Sequence, residues 1–492
     1  MEISVKNFGP IKHGSIDLSK RFYVFVGHNN SGKTYMANLV WGMNTYGIFN
    51  IKADENIIPI SHEDEFITLD NDIFRYVTKK LEEKILKEKI PFWFRIDEHD
   101  NLLKKLEIKL SENFLKQLFY ESSTKLDFDY VVPNNRKLEY GMTILKKKNS
   151  LTLEIKRRSR LKDVEDTNSV SYKEYDIGLS RISIYDDNVL TQLLSSAILQ
   201  PLNSKTILNN TNTFLPANRL FYPSFYRYVY EAAKGDNDKI SEEIRKGNPN
   251  VEKIKSLSKR PYTKAMDNLL STIYRLDASV KPNEIYTDLL QKLSKLMGGE
   301  IVTKNAEGIG LNEFKLKMDS GEELDLYLSS SAANQLTTLY LYFKYWASDG
   351  NNFLIMDEPE ENLHPKHQIA LLDILMQFAN RNNNRVLITT HSSLLAESVN
   401  NHIQIGKLQD LGKDVEQIVR ENGLDISLNE NLRPDNFGVY FFGNQAITPY
   451  EVDDYGVFFR DFKQEENKVA STAQVLSEHI YDSLKKDKTV LA

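Results

Sequence analysis

The segment GHNNSGKT, residues 27–34, constrains the fold more than any other stretch of this 492-residue chain. It satisfies the pattern G-x-x-x-x-G-K-[ST], in which glycines let the backbone curl so that successive N–H groups face phosphate oxygens. The preceding run RFYVFVG is rich in β-branched and aromatic residues and predicts a buried strand. The following run KTYMANLVWGM has apolar residues at helical spacing. Strand, glycine loop and helix in this order favour a phosphate-binding turn over a chance surface turn.

The residue types of this loop predict separate tasks. Lys33 is expected to reach the β- and γ-phosphates of a nucleotide, and the Thr34 hydroxyl is expected to ligate Mg²⁺. The other loop residues predicted to bind the nucleotide are Gly27, Asn29, Asn30, Ser31 and Gly32.

A second signal is the segment NNFLIMDEP, in which residues 353–356 predict a buried strand that ends in Asp357 and Glu358. A phosphoryl-transfer site needs such a pair, because one carboxylate holds the Mg²⁺ shell and the next orients or deprotonates the attacking water. A surface turn is the alternative interpretation, and the Pro359 and ENLHP that follow disfavour it.

A third signal is the segment RVLITTH. Residues 386–389 predict a strand, and His391 follows at its end. The intervening run HQIALLDILMQFANR predicts a helix, and a strand–helix–strand unit predicts two neighbouring parallel strands. Their carboxyl ends then share one edge of the sheet, which is where ligands bind in such sheets.

Together these motifs resemble an ABC-type ATPase head. GHNNSGKT is similar to its Walker A motif, FLIMDEP to its Walker B motif and ENLHP to its D-loop, while His391 matches its switch histidine. The resemblance implies an α/β fold, an ABC-type head with a P-loop NTPase sheet and helices. It also implies ATP and Mg²⁺ as cofactors.

Two further segments narrow the resemblance to a soluble branch in which a long insertion splits the head. The opening MEISVKNFGPIKHGSIDLS resembles the strand pair before Walker A in that branch. NTFLPANRLFYPSFYR, Asn212–Arg227, is similar to a Leu-Pro-Ala-x-Arg segment of AAA15-like defence ATPases, relatives of the OLD family.

The signature loop departs from the ABC pattern, because residues 328–335 contain no glycine. Serines at a helix start are good caps, which is one explanation of Ser330 and Ser331. A helix N-terminus is also an anion site. We interpret the two serines as reaching the nucleotide of a partner protomer.

The resemblance implies the following roles. Lys33 binds phosphate, Thr34 and Asp357 hold Mg²⁺, Glu358 activates water and His391 senses the γ-phosphate. In ABC heads the Walker motifs of one protomer face the signature loop of another, so a homodimer or larger homo-oligomer assembled by ATP is expected.

The chain length allows several domains. The predicted divisions are an N-terminal head part (1–45), an insertion with helices and then β-hairpins (46–211), a helical segment that returns to the head (212–327), a second head part (328–445) and a helical tail (446–492). Within the insertion, the spacing of Leu103, Leu106, Leu110 and Phe114 predicts a helix.

The insertion also contains predicted hairpins, with turns at residues 134–135 and 149–150. Basic residues cluster on the second hairpin between Lys146 and Lys162. A solvated face, a contact with a phosphate backbone and a site for an acidic protein all fit this cluster.

Composition excludes several classes of protein. The chain has no cysteine, which removes disulfides, thiol catalysis and cysteine-ligated metals. Its net charge of −6 argues against a uniformly basic nucleic-acid protein. Neither a membrane span nor a secretory signal is evident, so a cytoplasmic location without membrane attachment is expected.

The leading hypothesis is a regulatory ATPase of bacterial anti-phage defence, similar to the ATPase subunits of Septu, PARIS or some retron systems. Such a subunit holds or recruits a separate effector, here expected to be a nuclease, and nucleic acid stays open as a further partner. One alternative is a DNA-repair or recombination ATPase that binds DNA directly. Another is a self-contained OLD-type nuclease, which would need a metal site in the tail; we interpret Asp453 and Asp454 there as an exposed acidic turn.

Overall fold

The computed structural model describes most of the chain. The described residues are 2–46, 66–96, 100–121, 124–131, 138–163, 171–175, 211–219, 223, 226, 235, 238–245, 250, 262–276, 280–305, 312–428 and 432–490.

The secondary structure alternates strands and helices in the parts that carry the motifs. The strands are β1 (Glu2–Phe8), β2 (Ile11–Asp17), β3 (Phe22–Gly27), β4 (Phe66–Thr68), β5 (Glu107–Leu110), β6 (Thr124–Val131), β7 (Leu138–Lys146), β8 (Thr152–Asp163), β9 (Ser171–Tyr175), β10 (Thr211–Leu215), β11 (Gly299–Asn305), β12 (Asn312–Met318), β13 (Glu323–Asp325), β14 (Asn352–Asp357), β15 (Arg385–Thr390), β16 (Phe437–Gly443) and β17 (Ala446–Pro449). The helices with described bounds are α1 (Lys33–Tyr46), α2 (Asn71–Lys84), α3 (Ile90–Phe94), α4 (Glu112–Glu121), α5 (Lys264–Tyr274), α6 (Thr287–Met297), α7 (Ser331–Leu341), α8 (Pro365–Asn380), α9 (Ser393–Asp410), α10 (Val415–Glu421) and α11 (Arg460–Val490).

The chain divides into two compact units. The first unit comprises 1–19, 38–212 and 259–265, and the second comprises 20–37, 213–258 and 266–492. The two units do not test the domain boundaries expected from the sequence, which stay a prediction.

The second unit is built around strands in the order β10-β14-β15-β3-β16-β17. The pairs β14–β15, β15–β3 and β3–β16 are parallel, and β16–β17 is antiparallel. Every residue of β3, β14 and β15 is buried, as expected for central strands that are covered on both faces. The mixed α/β fold predicted from the sequence is therefore confirmed, and β14, α8 and β15 form the predicted strand–helix–strand unit.

The end of β3 requires glycine. Gly27 has φ +144°, and a Cβ there would lie 2.1 Å from the carbonyl oxygen of Phe442 on β16. No side chain fits at that distance, so the loop after β3 can begin only with glycine.

The first unit contains two groups of strands. β1 lies between β2 and β5 and is antiparallel to both, as the opening strand pair predicts for β1 and β2. β4, β8, β7 and β6 form a second sheet, with β9 beside β8. The predicted hairpin is β7–β8, whose turn includes Asn149 at φ +59°. The turn predicted at 134–135 lies outside the described residues.

The helix predicted over residues 103–114 is wrong in its first half. Residues 107–110 form β5, in which Ile108 and Leu110 are buried and Glu107 and Lys109 are exposed. This alternation has the period of a strand, and β5 pairs with β1. The helix α4 begins only at Glu112.

The segment 212–327 is not purely helical. Besides α5 and α6 it contains most of β10 and a three-stranded sheet with the order β11-β12-β13. In β12, residues 312–318, buried residues alternate with exposed or partly exposed ones. This alternation has the period of a strand, but it is too short to predict one from the sequence alone. In the tail, β17 precedes the closing helix α11 that the sequence predicts.

Within the described part of the chain, no helix combines the length and apolar character needed to cross a bilayer.

Candidate nucleotide site

The motif residues meet where β3, β14 and β15 end. Asp357 is paired in register with Thr389, and Thr390 with Val26, so the carboxyl ends of the three parallel strands are side by side. The loop from Gly27 to Gly32 leaves β3 at this edge and leads into α1. This is the edge at which open parallel sheets bind ligands.

The phosphate loop has the backbone shape that its sequence predicts. Asn30 and Gly32 adopt positive φ, +59° and +101°. Asn29 and Asn30 are exposed to solvent, and Ser31 is half-buried with its hydroxyl lacking a hydrogen-bond partner. A buried hydroxyl without a partner at this position suits a ligand that accepts a hydrogen bond.

Lys33 lies in the centre of the site and is only 4% exposed. Its ammonium group donates to the carbonyl oxygens of Gly27 and His28 at 3.0 and 2.9 Å, and lies 3.2 Å from Nδ1 of His391. Two carbonyl oxygens and one imidazole nitrogen thus surround the ammonium group. Burial lowers the pKa of Lys33 to about 8, although the Glu358 carboxylate and its neighbours oppose this shift.

Thr34 and Asp357 contact each other directly. The Thr34 hydroxyl lies 3.0 and 2.9 Å from the two carboxylate oxygens of Asp357, and the Thr389 hydroxyl also donates to Asp357. Burial raises the pKa of Asp357, and the hydrogen bonds from the two threonines only partly counter it. A hydroxyl beside a buried, destabilised carboxylate is an oxygen donor set that fits Mg²⁺, whose charge would offset the desolvation.

Glu358 and His391 form the next contact. Nε2 of His391 lies 2.7 Å from Oε1 of Glu358, and this hydrogen bond is the main cause that lowers the pKa of Glu358. Glu358 has φ +48°, a left-handed conformation that is rare for residues other than glycine. Its N–H donates to the carbonyl and the hydroxyl of Thr389, both at 3.1 Å. Such strain is found where the surroundings determine the backbone, often at functional sites.

Ser330 and Ser331 start α7. Ser330 is the N-cap, and its hydroxyl accepts from the N–H of Ala333 at 3.1 Å. Both serines are exposed. The capping explanation therefore applies to Ser330, while the contact of either serine with nucleotide stays a prediction.

Two residues of this site were not singled out from the sequence. Arg219 is completely buried, and its guanidinium donates to the carbonyl oxygens of Asp357 and Pro359, each at 2.9 Å. Burial lowers the pKa of Arg219 to about 10, against the pull of nearby carboxylates, with Glu360 the strongest. The available signal was its place in the segment LPANR.

Glu360 is the second. One of its carboxylate oxygens accepts from the Thr390 hydroxyl at 2.6 Å and from the N–H of His391 at 2.9 Å. It therefore fixes the backbone that carries the histidine. Its position in DEPEEN, two residues after Glu358, was the signal.

The family comparison decides the assignment. Residues 1–396 match the AAA_15 family, described as an AAA ATPase domain. The chain belongs to this family. Its members carry an ATPase domain, so the strand-end cluster described above lies in a nucleotide-binding ATPase domain. A search of curated proteins gave no match.

Solved structures with a similar chain course include heads of SMC proteins. One is an Smc head domain with an extended coiled coil bound to the C-terminal domain of ScpA, derived from Pyrococcus furiosus, with 11% identity and a TM-score of 0.33, covering 96% of this chain and 98% of that one. Another is the SMC head domain from Thermotoga maritima, with 10% identity and a TM-score of 0.29, covering 92% of this chain and 98% of that one. A third is an SmcHead bound to the C-winged helix domain of ScpA, with 13% identity and a TM-score of 0.31, covering 81% and 91%.

Proposed function

We propose that this protein is a Mg²⁺-dependent ATPase that dimerises around ATP and regulates or recruits a separate effector, a nuclease, in bacterial anti-phage defence. The observation that carries the ATPase assignment is the single cluster formed by Lys33, Thr34, Asp357, Glu358 and His391 at three adjacent strand ends.

Each residue of the cluster has a task that its surroundings suit. Lys33 exchanges its contacts with loop carbonyls for the phosphates of ATP. Thr34 and Asp357 hold Mg²⁺, which supplies positive charge to the phosphates when it is bound. Glu358 is ionised because its pKa is lowered, so it can orient a water molecule and accept its proton.

His391 completes the cluster on the other side of Lys33. Besides Glu358, it approaches the carbonyl oxygen of Gly27, 2.9 Å from Nδ1. It therefore contacts both the phosphate loop and the carboxylate that activates water. A group in this position can sense whether a γ-phosphate is present.

Dimerisation is supported by the surface next to the signature serines. Tyr327 and Leu328 are 71% and 62% exposed, and only Ser329 separates them from Ser330 and Ser331. Tyr35 on α1 and Leu394 after His391 are also partly exposed, at 41% and 36%. Apolar side chains thus lie beside both halves of the expected composite site, as a contact between two copies would require.

The basic hairpin, formed by β7 and β8, is the candidate docking surface for the effector. Within it, Lys146 is buried with its ammonium 4.7 Å from the centre of the Phe119 ring, so it is no part of a docking surface. Lys147 and Lys156 pair with Glu154 at 3.6 and 3.1 Å. Lys148 lies in the turn before β8, and the remaining basic residues lie on β8; their charge suits an acidic protein surface or a phosphate backbone.

The tail shows the acidic turn that the sequence predicts. Asp453 forms a tight turn with Gly456, its carboxylate accepting from the N–H of Tyr455 at 2.8 Å. Asp454 pairs with Lys407 at 2.8 Å. These contacts give both aspartates a structural explanation.

The experiment has two parts. The purified chain should hydrolyse ATP with Mg²⁺, and addition of a chelator should stop the reaction. Co-expressed with the product of its neighbouring gene, it should co-purify with that product, and the complex should cleave nucleic acid or become toxic when phage infects the cells. Metal-dependent cleavage by the chain alone, lost in Asp453→Asn/Asp454→Asn, would instead support the self-contained nuclease.

The docking surface is tested separately. The triple variant Arg157→Glu/Arg158→Glu/Arg160→Glu should keep ATP hydrolysis and lose the effector or DNA. If complex formation, DNA binding and defence all survive this change, the basic hairpin is only a solvated face.

A further inference from the structure

The guanidinium of Arg219 holds the backbone of the Walker B segment along three successive residues. It donates to the carbonyl oxygens of Asp357 at 2.9 Å, Glu358 at 3.3 Å from both Nη atoms, and Pro359 at 2.9 Å. Every one of these contacts is to main chain. Arg219 therefore acts on the course of the segment, and it leaves the reacting carboxylate free.

The segment needs such support because Glu358 is in a left-handed conformation. That conformation is unfavourable for a residue with a Cβ, so it persists only where neighbouring groups hold it. On one side the N–H of Glu358 is held by Thr389, and on the other its carbonyl oxygen is held by Arg219. We expect that releasing either side would let the peptide relax and turn the carboxylate away from His391.

The position of Arg219 is in turn fixed by α7, the helix that begins with the signature serines. Gln335 of α7 is completely buried and donates to the carbonyl oxygen of Ala217 at 2.9 Å. Thr338, one turn further on, lies 3.4 Å from the carbonyl oxygen of Arg219. A continuous set of buried contacts thus runs from α7 through residues 217–219 to Glu358.

We propose that Arg219 is a positioning residue that fixes the water-activating Glu358 through its backbone, and that α7 sets the position of Arg219. This inference rests on the proposed ATPase function. In the dimer proposed above, α7 would touch the nucleotide bound to the other protomer, whereas Glu358 would act on the nucleotide of its own chain. The buried contacts therefore link the two nucleotide sites within one protomer.

The test uses Arg219→Lys, which keeps the positive charge among the carboxylates but replaces the planar fork by a single ammonium that cannot span three carbonyls. The kcat for ATP should fall about 10- to 100-fold, as expected for a misplaced catalytic group, while the Kd for ATP measured at equilibrium changes less than about threefold. A defect in folding alone would lower two quantities by the same factor: the rate of hydrolysis per total protein and the fraction of the protein that binds ATP.

A double-mutant cycle separates positioning from a general loss of structure. If Arg219 acts through Glu358, then Arg219→Lys should cause no further loss in single-turnover rate when it is added to Glu358→Gln. If the two losses multiply, the proposal is wrong. It is equally wrong if Arg219→Lys keeps the wild-type kcat. A wild-type protein without ATPase activity would contradict the proposed function instead.

A second variant tests the link from α7. Gln335→Met removes the hydrogen bond to Ala217 and keeps the side-chain volume, so kcat should fall about 3- to 10-fold. Added to Glu358→Gln, it should cause no further loss in single-turnover rate, and this result tests the proposal even if Arg219→Lys does not fold. Arg385→Lys is the matched control. Arg385 is also buried, but its guanidinium packs 4.3 Å from the centre of the Phe353 ring at the opposite end of β15 from His391, so kcat should stay within about twofold of wild type.

Discussion

Nε2 of His391 lies 2.7 Å from Oε1 of Glu358, while Nδ1 of the same ring lies 3.2 Å from the ammonium of Lys33. One imidazole thus connects the residue expected to bind phosphate with the residue expected to activate water. With the proton on Nε2, the ring donates to the Glu358 carboxylate and Nδ1 can accept from Lys33; with a proton on Nδ1, the ring donates instead to the carbonyl oxygen of Gly27, 2.9 Å away. If ATP takes over Lys33, as the proposed function requires, the contact between Lys33 and the ring is lost, and we expect the histidine to report the γ-phosphate to Glu358 in this way.

The first prediction concerns Glu358. Glu358→Gln should bind ATP with near wild-type affinity but hydrolyse it about 10²- to 10⁴-fold more slowly, because the general base is lost while Lys33 and the phosphate loop are intact. Size-exclusion chromatography with ATP should show an accumulated nucleotide-bound dimer. Glu416→Gln, at an exposed glutamate of α10 that pairs with Arg420, is the control and should behave as wild type. Wild-type turnover in Glu358→Gln would refute the assignment.

The second prediction concerns pH. The pKa of Lys33 is lowered to about 8, so without nucleotide the side chain is charged below pH 8 and loses its proton above it. Bound phosphates favour the charged form, hence binding above pH 8 must take up a proton. The affinity for ATP should be nearly constant below about pH 7, fall to about half by pH 8 and then fall further, approaching about tenfold per pH unit.

Titration calorimetry in buffers with different ionisation enthalpies checks this, since it counts the protons taken up on binding. Lys33→Arg provides the comparison, because a guanidinium stays charged throughout this range. Its affinity should not fall between pH 8 and 9.5. An equal fall in both proteins would assign the pH dependence to another group.

The parts of the site that follow from local sequence could be predicted. β3 and β14 are short, fully buried strands with mainly apolar residues, and their ends carry the residue types that phosphate and Mg²⁺ would require, so a few consecutive residues contain the whole signal. The role of Arg219 could not be predicted in this way. Its acceptors on Asp357 and Pro359 are 138 and 140 positions away along the chain, and only the fold brings them together.

The prediction of a helix over residues 103–114 failed for a different reason from the one that hid the role of Arg219. Leu106 and Leu110 are four apart, which suits one face of a helix, but they are also an even number apart, which suits one face of a strand. Pairing with β1 decides between the two periods, and that partner lies about a hundred positions earlier, at Ile3–Lys6. Short amphipathic segments are ambiguous for this reason, because tertiary pairing overrides the local preference.

The third prediction tests the shared site. Substituting Ser330 and Ser331 together with bulky residues should abolish hydrolysis while ATP binding to the monomer persists. Since Ser330 also caps α7, about 1 kcal/mol of stability should be lost as well, which a urea titration would reveal. Mixed with Lys33→Ala, the serine variant should regain activity, because its intact phosphate loop then faces an intact signature loop. Each variant alone is the control, and failure of the mixture to recover would count against a composite site.

The last prediction concerns the apolar surface before the signature serines. Leu328 is 62% exposed, and a second copy would bury it together with Tyr327 when ATP closes the dimer. Leu328→Asp should therefore shift the ATP-dependent dimer of the Glu358→Gln protein towards monomer, because burying an unpaired charge at an interface is costly. The folded monomer should keep its stability, since this side chain is already in water. Analytical ultracentrifugation at several protein concentrations measures the shift.

The matched control is Leu411→Asp, at a leucine after α9 that is 60% exposed. It makes the same chemical change at the same exposure, so an equal loss of dimer in both variants would mean that added negative charge, and not the surface beside the serines, weakens assembly.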